Sequence, residues 1–300
     1  MNTRSHNSHL APLFALCLAI VLFIGIGFVA AKSHITYAAL GIPHSVKPTV
    51  DQAAQNKLVA DIRSILSGGT AGVSIRNLAT NETIHINSQQ VFDAASTSKI
   101  VIASYIYHQA SIGALNLDDS VTVTDADIET GTGDLQDRDT PFTESYRDLV
   151  KVMMQNSDNT AAHVLAATAG DDKIQAYSVN TLGLKQTART NNTTTADDMR
   201  SAIEAVYTGK IANQTLTNEL LSYMVHTEFE DRLPADLPTS ATVYHKIGNG
   251  IQGDMDDVGI VTYQGQTYAV AIYTAGYDDP AVASTAIAQA SKRIFDYFTK

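Results

Sequence analysis

The chain has 300 residues, 44% hydrophobic and 17% charged, which is enough to bury a large core and too apolar for a disordered protein. Its 31 acidic and 20 basic residues leave a formal charge of −11. That argues against a nucleic-acid partner, which would require a basic face for the phosphates. Cys17 is the only cysteine, so the chain can form neither an intrachain disulfide framework nor a cysteine-rich zinc site.

The run from Leu10 to Ala31, LAPLFALCLAIVLFIGIGFVAA, carries no formal charge. About 20 apolar residues span a bilayer as a helix. The apolar part of a secretory signal is shorter, about 7–15 residues. The run therefore favours an uncleaved membrane anchor over a cleaved signal peptide. Val29-Ala30-Ala31 also fits a cleavage site, and cleavage would release a secreted protein. Residues 1–9 are then the cytoplasmic N-terminus and residues 32–50, with Gly41, Pro43 and Pro48, a linker. The globular body runs from residue 51 to 300 on the extracytoplasmic face.

The body opens with a helical pattern from Asp51 to Leu66, with Leu58, Ile62 and Ile65 on one face. Gly68-Gly69 ends it. Val73 and Ile75, then Ile84 and Ile86, alternate with polar neighbours around Thr80-Asn81, the pattern of a strand hairpin. Residues 96–225 are mostly helical in pattern. Val258–Tyr263 and Thr267–Ala275 flank Gln264-Gly265-Gln266, a second hairpin. Asp279-Pro280 starts a final helix, with a capping side chain and proline in the first turn. Strands at both ends with helices between predict an α/β (α+β) sandwich. Its antiparallel sheet is assembled from both chain ends, and an all-helical lobe is inserted. A cleft between the two layers is the natural place for a site.

Three short motifs carry possible chemistry. Ser96-Thr97-Ser98-Lys99 opens an apolar helix, which puts Ser96 and Lys99 on one face. A serine hydroxyl needs a base, and a lysine one turn away can serve if burial and a nearby cation keep it neutral. Alone, this spacing is common by chance. Ser157-Asp158-Asn159 separates the helical stretches Tyr146–Gln155 and Thr160–Ala167, and alone it reads as a helix cap. Lys246-Ile247-Gly248 lies in a strand-like run from Thr242. Its glycine would let a substrate approach the backbone, or the run is a strand end with a surface lysine.

Together and in this order, the motifs resemble the S-x-x-K, S-D-N and K-T-G signature of class A serine β-lactamases and penicillin-binding proteins. The surrounding segments FDAASTSKIVIASYIYHQASIGALNLDDSVTVTDADI, RDLVKVMMQNSDNTAAHVL and DRLPADLP, then VYHKIGNG, extend the resemblance over residues 51–300. It implies the β-lactamase-like sandwich and an acyl-enzyme route on β-lactams or D-Ala-D-Ala stem peptides. Carried over by position, Ser96 is the nucleophile and Lys99 its base. Ser157 relays the proton to the leaving nitrogen beside Lys246. Asn159 and Gly248 contact substrate, and the N–H groups of Ser96 and Asn249 form the oxyanion hole. Arg232 either assists with the substrate carboxylate or makes a surface salt bridge. The expected protein is a monomer that needs no metal or cofactor.

The sequence departs from that family pattern twice. Ile247 replaces the hydroxyl of K-T-G. The stretch 173–196, where class A enzymes keep the glutamate that activates the deacylating water, contains no Asp or Glu and is short. Slow β-lactam hydrolysis is expected. A non-catalytic penicillin sensor or surface module is the alternative. Other polar residues read as structural. His85, His108, His163, His226 and His245 show no metal-ligand spacing. Gly131-Thr132-Gly133 lacks the strand-to-helix setting of a phosphate loop. Glu144 and Asp148 read as solvated charges at a helix start.

Overall fold

The computed structural model describes residues 50–250 and 253–300. The apolar run 10–31 and the linker lie outside the described residues. Among the described residues no helix is long and apolar enough to cross a membrane.

Helix α1 (Gln52–Ile65) is capped by Asp51, whose carboxylate accepts from the Ala53 and Ala54 N–H groups at 3.0 and 3.1 Å. Strands β1 (Thr70–Asn77) and β2 (Thr83–Ile86) form the first hairpin. At the other end, β7 (Thr242–Asn249), β8 (Met255–Tyr263) and β9 (Gln266–Ala275) form a meander. The β8–β9 turn is Gln264-Gly265, with φ of 47° and 84° at its two central residues. Positive φ at both positions matches the twist of the flanking strands. The five strands make one antiparallel sheet in the order β2-β1-β9-β8-β7, so the two chain ends meet at the β1–β9 pairing. Helix α8 (Pro280–Phe298) starts on Asp279, which accepts from the Ala281 N–H at 2.8 Å.

Side chains along the central strand alternate between two cores. Tyr268, Val270 and Ile272 of β9 face α1 and α8, with Leu58, Ile62, Ile287 and Phe295. Ala269, Ala271 and Tyr273 face the helical lobe. Burial on both faces explains why β9 reads as nearly continuous apolar sequence.

The lobe contains α2 (Lys99–Ser111), α3 (Tyr146–Gln155), α4 (Asn159–Ala169), α5 (Asp171–Tyr177), α6 (Ala196–Tyr207) and α7 (Gln214–Ser222). Two small sheets interrupt the expected all-helical pattern. β3 (Val91–Asp93) pairs with β6 (Thr193–Thr195), and β4 (Ser120–Val123) with β5 (Phe142–Ser145). Strands of three or four residues are too short for apolar alternation to show. Glu144 is correspondingly a strand residue ion-paired with Arg138, while Asp148 sits in the first turn of α3 as expected. Architecture and order otherwise follow the expected sandwich.

Candidate active site

Ser96 lies in a tight 3₁₀ turn, Ala95–Ser98, that leads directly into α2. Ala95, just before it, has φ of +43°, a left-handed conformation that is costly for alanine. The surroundings hold this turn from several sides. Asp93 accepts from the Ala95 N–H at 2.9 Å, and Asn192 donates to the Ala95 carbonyl and to Asp93, both at 3.2 Å. The Ala94 N–H donates to the Asn192 carbonyl at 2.7 Å. Below the turn, Thr97 Oγ1 donates to the Ala94 carbonyl at 2.6 Å and lies 2.5 Å from the Tyr273 hydroxyl.

The sheet beneath the turn presents one cross-strand row: Gly248, Asp256, Tyr273 and Gly72. A Cβ on Gly248 would lie 3.1 Å from Ala95, Thr97 and Asp256 side-chain atoms. Gly248 is therefore small because the nucleophile turn packs on it. Asp256 is fully buried, and its Oδ2 has no hydrogen-bond partner among the described residues. Burial pushes its carboxyl well above the usual range, against the opposing pull of the Thr274 N–H and Arg232.

Two lysines converge on Ser157. Lys99 Nζ lies 3.1 Å from Ser157 Oγ, 2.5 Å from the Ser157 carbonyl oxygen and 2.7 Å from Asn159 Oδ1. Lys246 Nζ lies 2.9 Å from the same Ser157 Oγ and 3.0 Å from the Ile247 carbonyl. Both lysines are buried. Burial lowers Lys99 to about 8, although Asp158 pulls the other way. Burial lowers Lys246 well below its ordinary value, and the Lys99 charge adds to that. At a value of about 8, roughly a tenth of Lys99 is neutral at pH 7, several hundred times more than for an ordinary lysine. The arrangement can remove a proton from a hydroxyl and pass it along Ser157.

Ser157 needs φ of +56° to present its hydroxyl between the lysines. The segment Thr130–Gly133 packs against it. Thr132 Oγ1 donates to the Ser157 carbonyl at 2.6 Å, and the Asn159 N–H donates to the Thr132 carbonyl at 2.9 Å. Asp158 caps α4 through the Ala161 N–H at 2.8 Å and accepts from the Leu135 N–H at 2.9 Å. A Cβ on Gly133 would fall 2.1 Å from Asp158 Oδ2. The two glycines of this segment thus build the wall behind the S-D-N turn.

A cavity of about 630 Å³ opens above these groups, and Ser96, Lys99, Asn159 and Asn249 all line it. Glu129, His163, Asp171, Arg189, Asp93 and Asn192 also line it. None of these six was picked out from sequence as a site residue, because nothing in their local patterns marks them. Arg232 makes the expected kind of ion pair, with Nε 3.7 Å from Asp231 Oδ2, but it is buried rather than on the surface. It is 2% exposed and donates to the Gly248 carbonyl at 2.9 Å and the Asp256 carbonyl at 2.8 Å. It also bonds Asn249 Oδ1, and its recess, with Met255 and Ser284, is separate from the cavity. It braces the end of β7 from behind. His245 is fully buried, with Nδ1 2.9 Å from both carboxylate oxygens of Asp257 and Nε2 3.3 Å from Glu230. Burial disfavours its charge, but Asp257 and Glu230 outweigh burial and raise it to about 9. Among the described residues no three His, Cys, Asp or Glu side chains converge as a metal site.

The chain is similar to several known proteins. β-Lactamase CTX-M-8 of Citrobacter amalonaticus is 27% identical over 248 residues, covering 77% of this chain and 84% of that protein. Extended-spectrum β-lactamase PER-1 of Pseudomonas aeruginosa is also 27% identical, over 258 residues, covering 74% and 81%. Among solved structures, PBP-A superposes with a TM-score of 0.75 at 27% identity, covering 81% of this chain and 96% of that one. The model of the β-lactamase enzyme family matches residues 56–298. The chain therefore belongs to the β-lactamase enzyme family, as a class A-like and penicillin-binding-protein-like serine hydrolase.

Proposed function

We propose that this protein forms an acyl-enzyme on Ser96 with β-lactams or D-Ala-D-Ala-type stem peptides and releases it slowly. The observation that carries this is the convergence of Lys99 and Lys246 on the buried Ser157 hydroxyl, 3.1 and 2.9 Å away, with Lys99 lining the same cavity as Ser96. Neutral Lys99 takes the Ser96 proton as Oγ attacks the carbonyl carbon. Ser157 passes a proton to the leaving nitrogen, while Lys246, once the substrate carboxylate favours its protonated form, supplies positive potential for that carboxylate. The N–H groups of Ser96 and Asn249 stabilise the oxyanion, at about 3–4 kcal/mol per donor. Asn159, held by Lys99 and by the Thr130 carbonyl at 3.0 Å, positions the acyl amide.

Slow release rests on the stretch 173–196, which has no carboxylate. A general base contributes typically 10²–10⁴-fold to such a step. A mutant of PBP-A, similar in fold and 27% identical, is known as an acyl-enzyme complex with penicillin G, which supports acylation as the shared chemistry. A sensor that acylates once and stays blocked shares the same first step. Residues 10–31 would hold the protein on the extracytoplasmic face of a membrane, with D,D-peptidase activity on stem peptides as a further possibility of the same site. The test is incubation of the full chain with a chromogenic cephalosporin, reading turnover and adduct mass together. A burst followed by slow turnover, with the adduct lost in Ser96→Ala, is the expected result. An adduct on another residue would remove the mechanism.

A further inference from the structure

The missing loop glutamate raises the question of what activates water once Ser96 is acylated. Three carboxylates from elsewhere in the chain reach the cavity: Asp93, Glu129 and Asp171. Asp93 is committed to the Ala95 N–H and the Asn192 amide, at 2.9 and 3.2 Å. Asp171 is committed to the Arg189 guanidinium at 2.6 Å. Glu129 faces a different partner, His163, with Oε1 3.5 Å from Nδ1.

His163 follows Asn159 by four residues on α4, so the two side chains share a helix face, with Cβ atoms about 5–6 Å apart. Asn159 is the residue that holds Lys99, at 2.7 Å. The imidazole therefore stands one helical turn from the residue that holds the catalytic lysine, and it lines the same cavity as Ser96 and Lys99. The backbone of its partner Glu129 is fixed to the same helix. The Glu129 N–H donates to Thr160 Oγ1 at 3.0 Å, and that hydroxyl donates to the Glu129 carbonyl at 3.1 Å. The carboxylate stands on the Nδ1 side of the ring, 3.5 Å away, and leaves Nε2 unclaimed by Glu129. The His163 side chain is 40% exposed, so water reaches it.

We propose that His163, oriented by Glu129, is the general base that deacylates this enzyme. The inference rests on the acyl-enzyme reading at Ser96. A water oxygen bonds to the acyl carbon while its proton passes to His163 Nε2. The tetrahedral intermediate collapses with cleavage of the bond to Ser96 Oγ. The proton then returns from the imidazolium, through water, to that oxygen, which regenerates serine and releases the acid. No oxidant or further reactant is required.

The test separates acylation from deacylation in the full chain. Native protein, His163→Gln and Glu129→Gln are acylated with benzylpenicillin, freed of excess ligand, and followed by adduct mass from pH 5 to pH 9. Adduct decay in His163→Gln should slow by about 10–100-fold. The limb of the native pH profile that rises as an imidazole loses its proton should vanish in that variant. Glu129→Gln should show a smaller slowing and keep the limb. Decay of His163→Gln at the native rate with the native profile would overturn the inference while leaving the acyl-enzyme intact. So would a loss confined to Glu129→Gln, since the carboxylate would then be the base. Native protein that gives no adduct would overturn the acyl-enzyme reading and this inference with it.

Discussion

Replacing Asp256 by asparagine should raise resistance to urea, and the gain should grow with pH. Asp256 is fully buried between Gly248 and Tyr273 of the neighbouring strands, and its Oδ2 has no partner among the described residues. Arg232 is close, but it donates to the Asp256 carbonyl at 2.8 Å rather than to the carboxylate. Burial therefore dominates, and the folded carboxyl keeps its proton well above the ordinary carboxylate range. In the unfolded chain an aspartate ionises near pH 3.9. Below that pH both states are protonated and the group costs nothing. Above it the unfolded state alone ionises, and native stability falls by about 1.4 kcal/mol for each pH unit until the folded carboxyl ionises too.

Asparagine is nearly the same shape and cannot titrate. Its amide oxygen can accept from the Thr274 N–H, which now donates to Asp256 Oδ1 at 3.2 Å. Its amino group takes over the unpartnered position, so near pH 4 the two proteins should be about equally stable. Between pH 5 and pH 6 the difference should widen by about 1.4 kcal/mol. With a urea slope of about 3 kcal/mol/M, that is a relative midpoint shift of roughly 0.5 M. Urea titrations followed by far-ultraviolet circular dichroism at each pH measure it directly. Midpoints that run parallel from pH 4 to pH 7 would show that Asp256 ionises normally in the fold, and the reasoning would be wrong.

Three further outcomes follow from the same geometry. Lys99→Arg keeps the charge but cannot supply a neutral base, so β-lactam acylation should drop by 10²-fold or more in stopped-flow measurements while the melting temperature stays within a few degrees. Gly133→Ala places a Cβ 2.1 Å from Asp158 Oδ2 at a residue with φ of +95°, and should cost about 2–4 kcal/mol in chemical denaturation through strain and loss of the Leu135–Asp158 bond. His245, raised to about 9 by Asp257 and Glu230 against burial, adds stability that is complete below about pH 6.5 and lost as pH rises through about 9. Native protein should therefore weaken between pH 7 and pH 9.5. His245→Gln should lack that slope and be less stable by about 3–5 kcal/mol at pH 7, because Asp257 is left buried without its cation.

Features specified by neighbouring residues were legible in the sequence. Asp51 and Asp279-Pro280 cap their helices where the pattern places them, and the period-two strands pair as expected. The spacing in Ser96–Lys99 and in Ser157–Asn159 is likewise local, and the fold brings both motifs to Lys246. Contacts between distant segments left no mark. Asp93 and Asn192 meet across the chain to hold the nucleophile turn, and neither has a distinctive neighbourhood. An arginine in a proline-containing loop looks like surface sequence, yet Arg232 is buried because backbone carbonyls of β7 and β8 satisfy it. Gly131 and Gly133 have meaning only against Asn159 and Asp158, which the fold sets beside them.

The short segment after α5 bears on how such a site can work without its loop carboxylate. Gly183, at φ of +78°, turns the chain, and a tight Ala188–Thr193 bridge returns it to β6. What the segment brings to the site is Asn192, whose amide and carbonyl both go to residues 93–95. Its role is thus to brace the strained turn that presents Ser96. In the proposed mechanism, acylation depends on that turn, on the sheet row below it and on the two lysines. Water activation depends on a group facing the open cavity, and this segment provides only Arg189, paired with Asp171, and Asn192, committed to the nucleophile turn. On the proposed mechanism the two half-reactions are therefore carried by different parts of the molecule. A change at Glu129 or His163 can alter adduct lifetime without disturbing the machinery that forms the adduct.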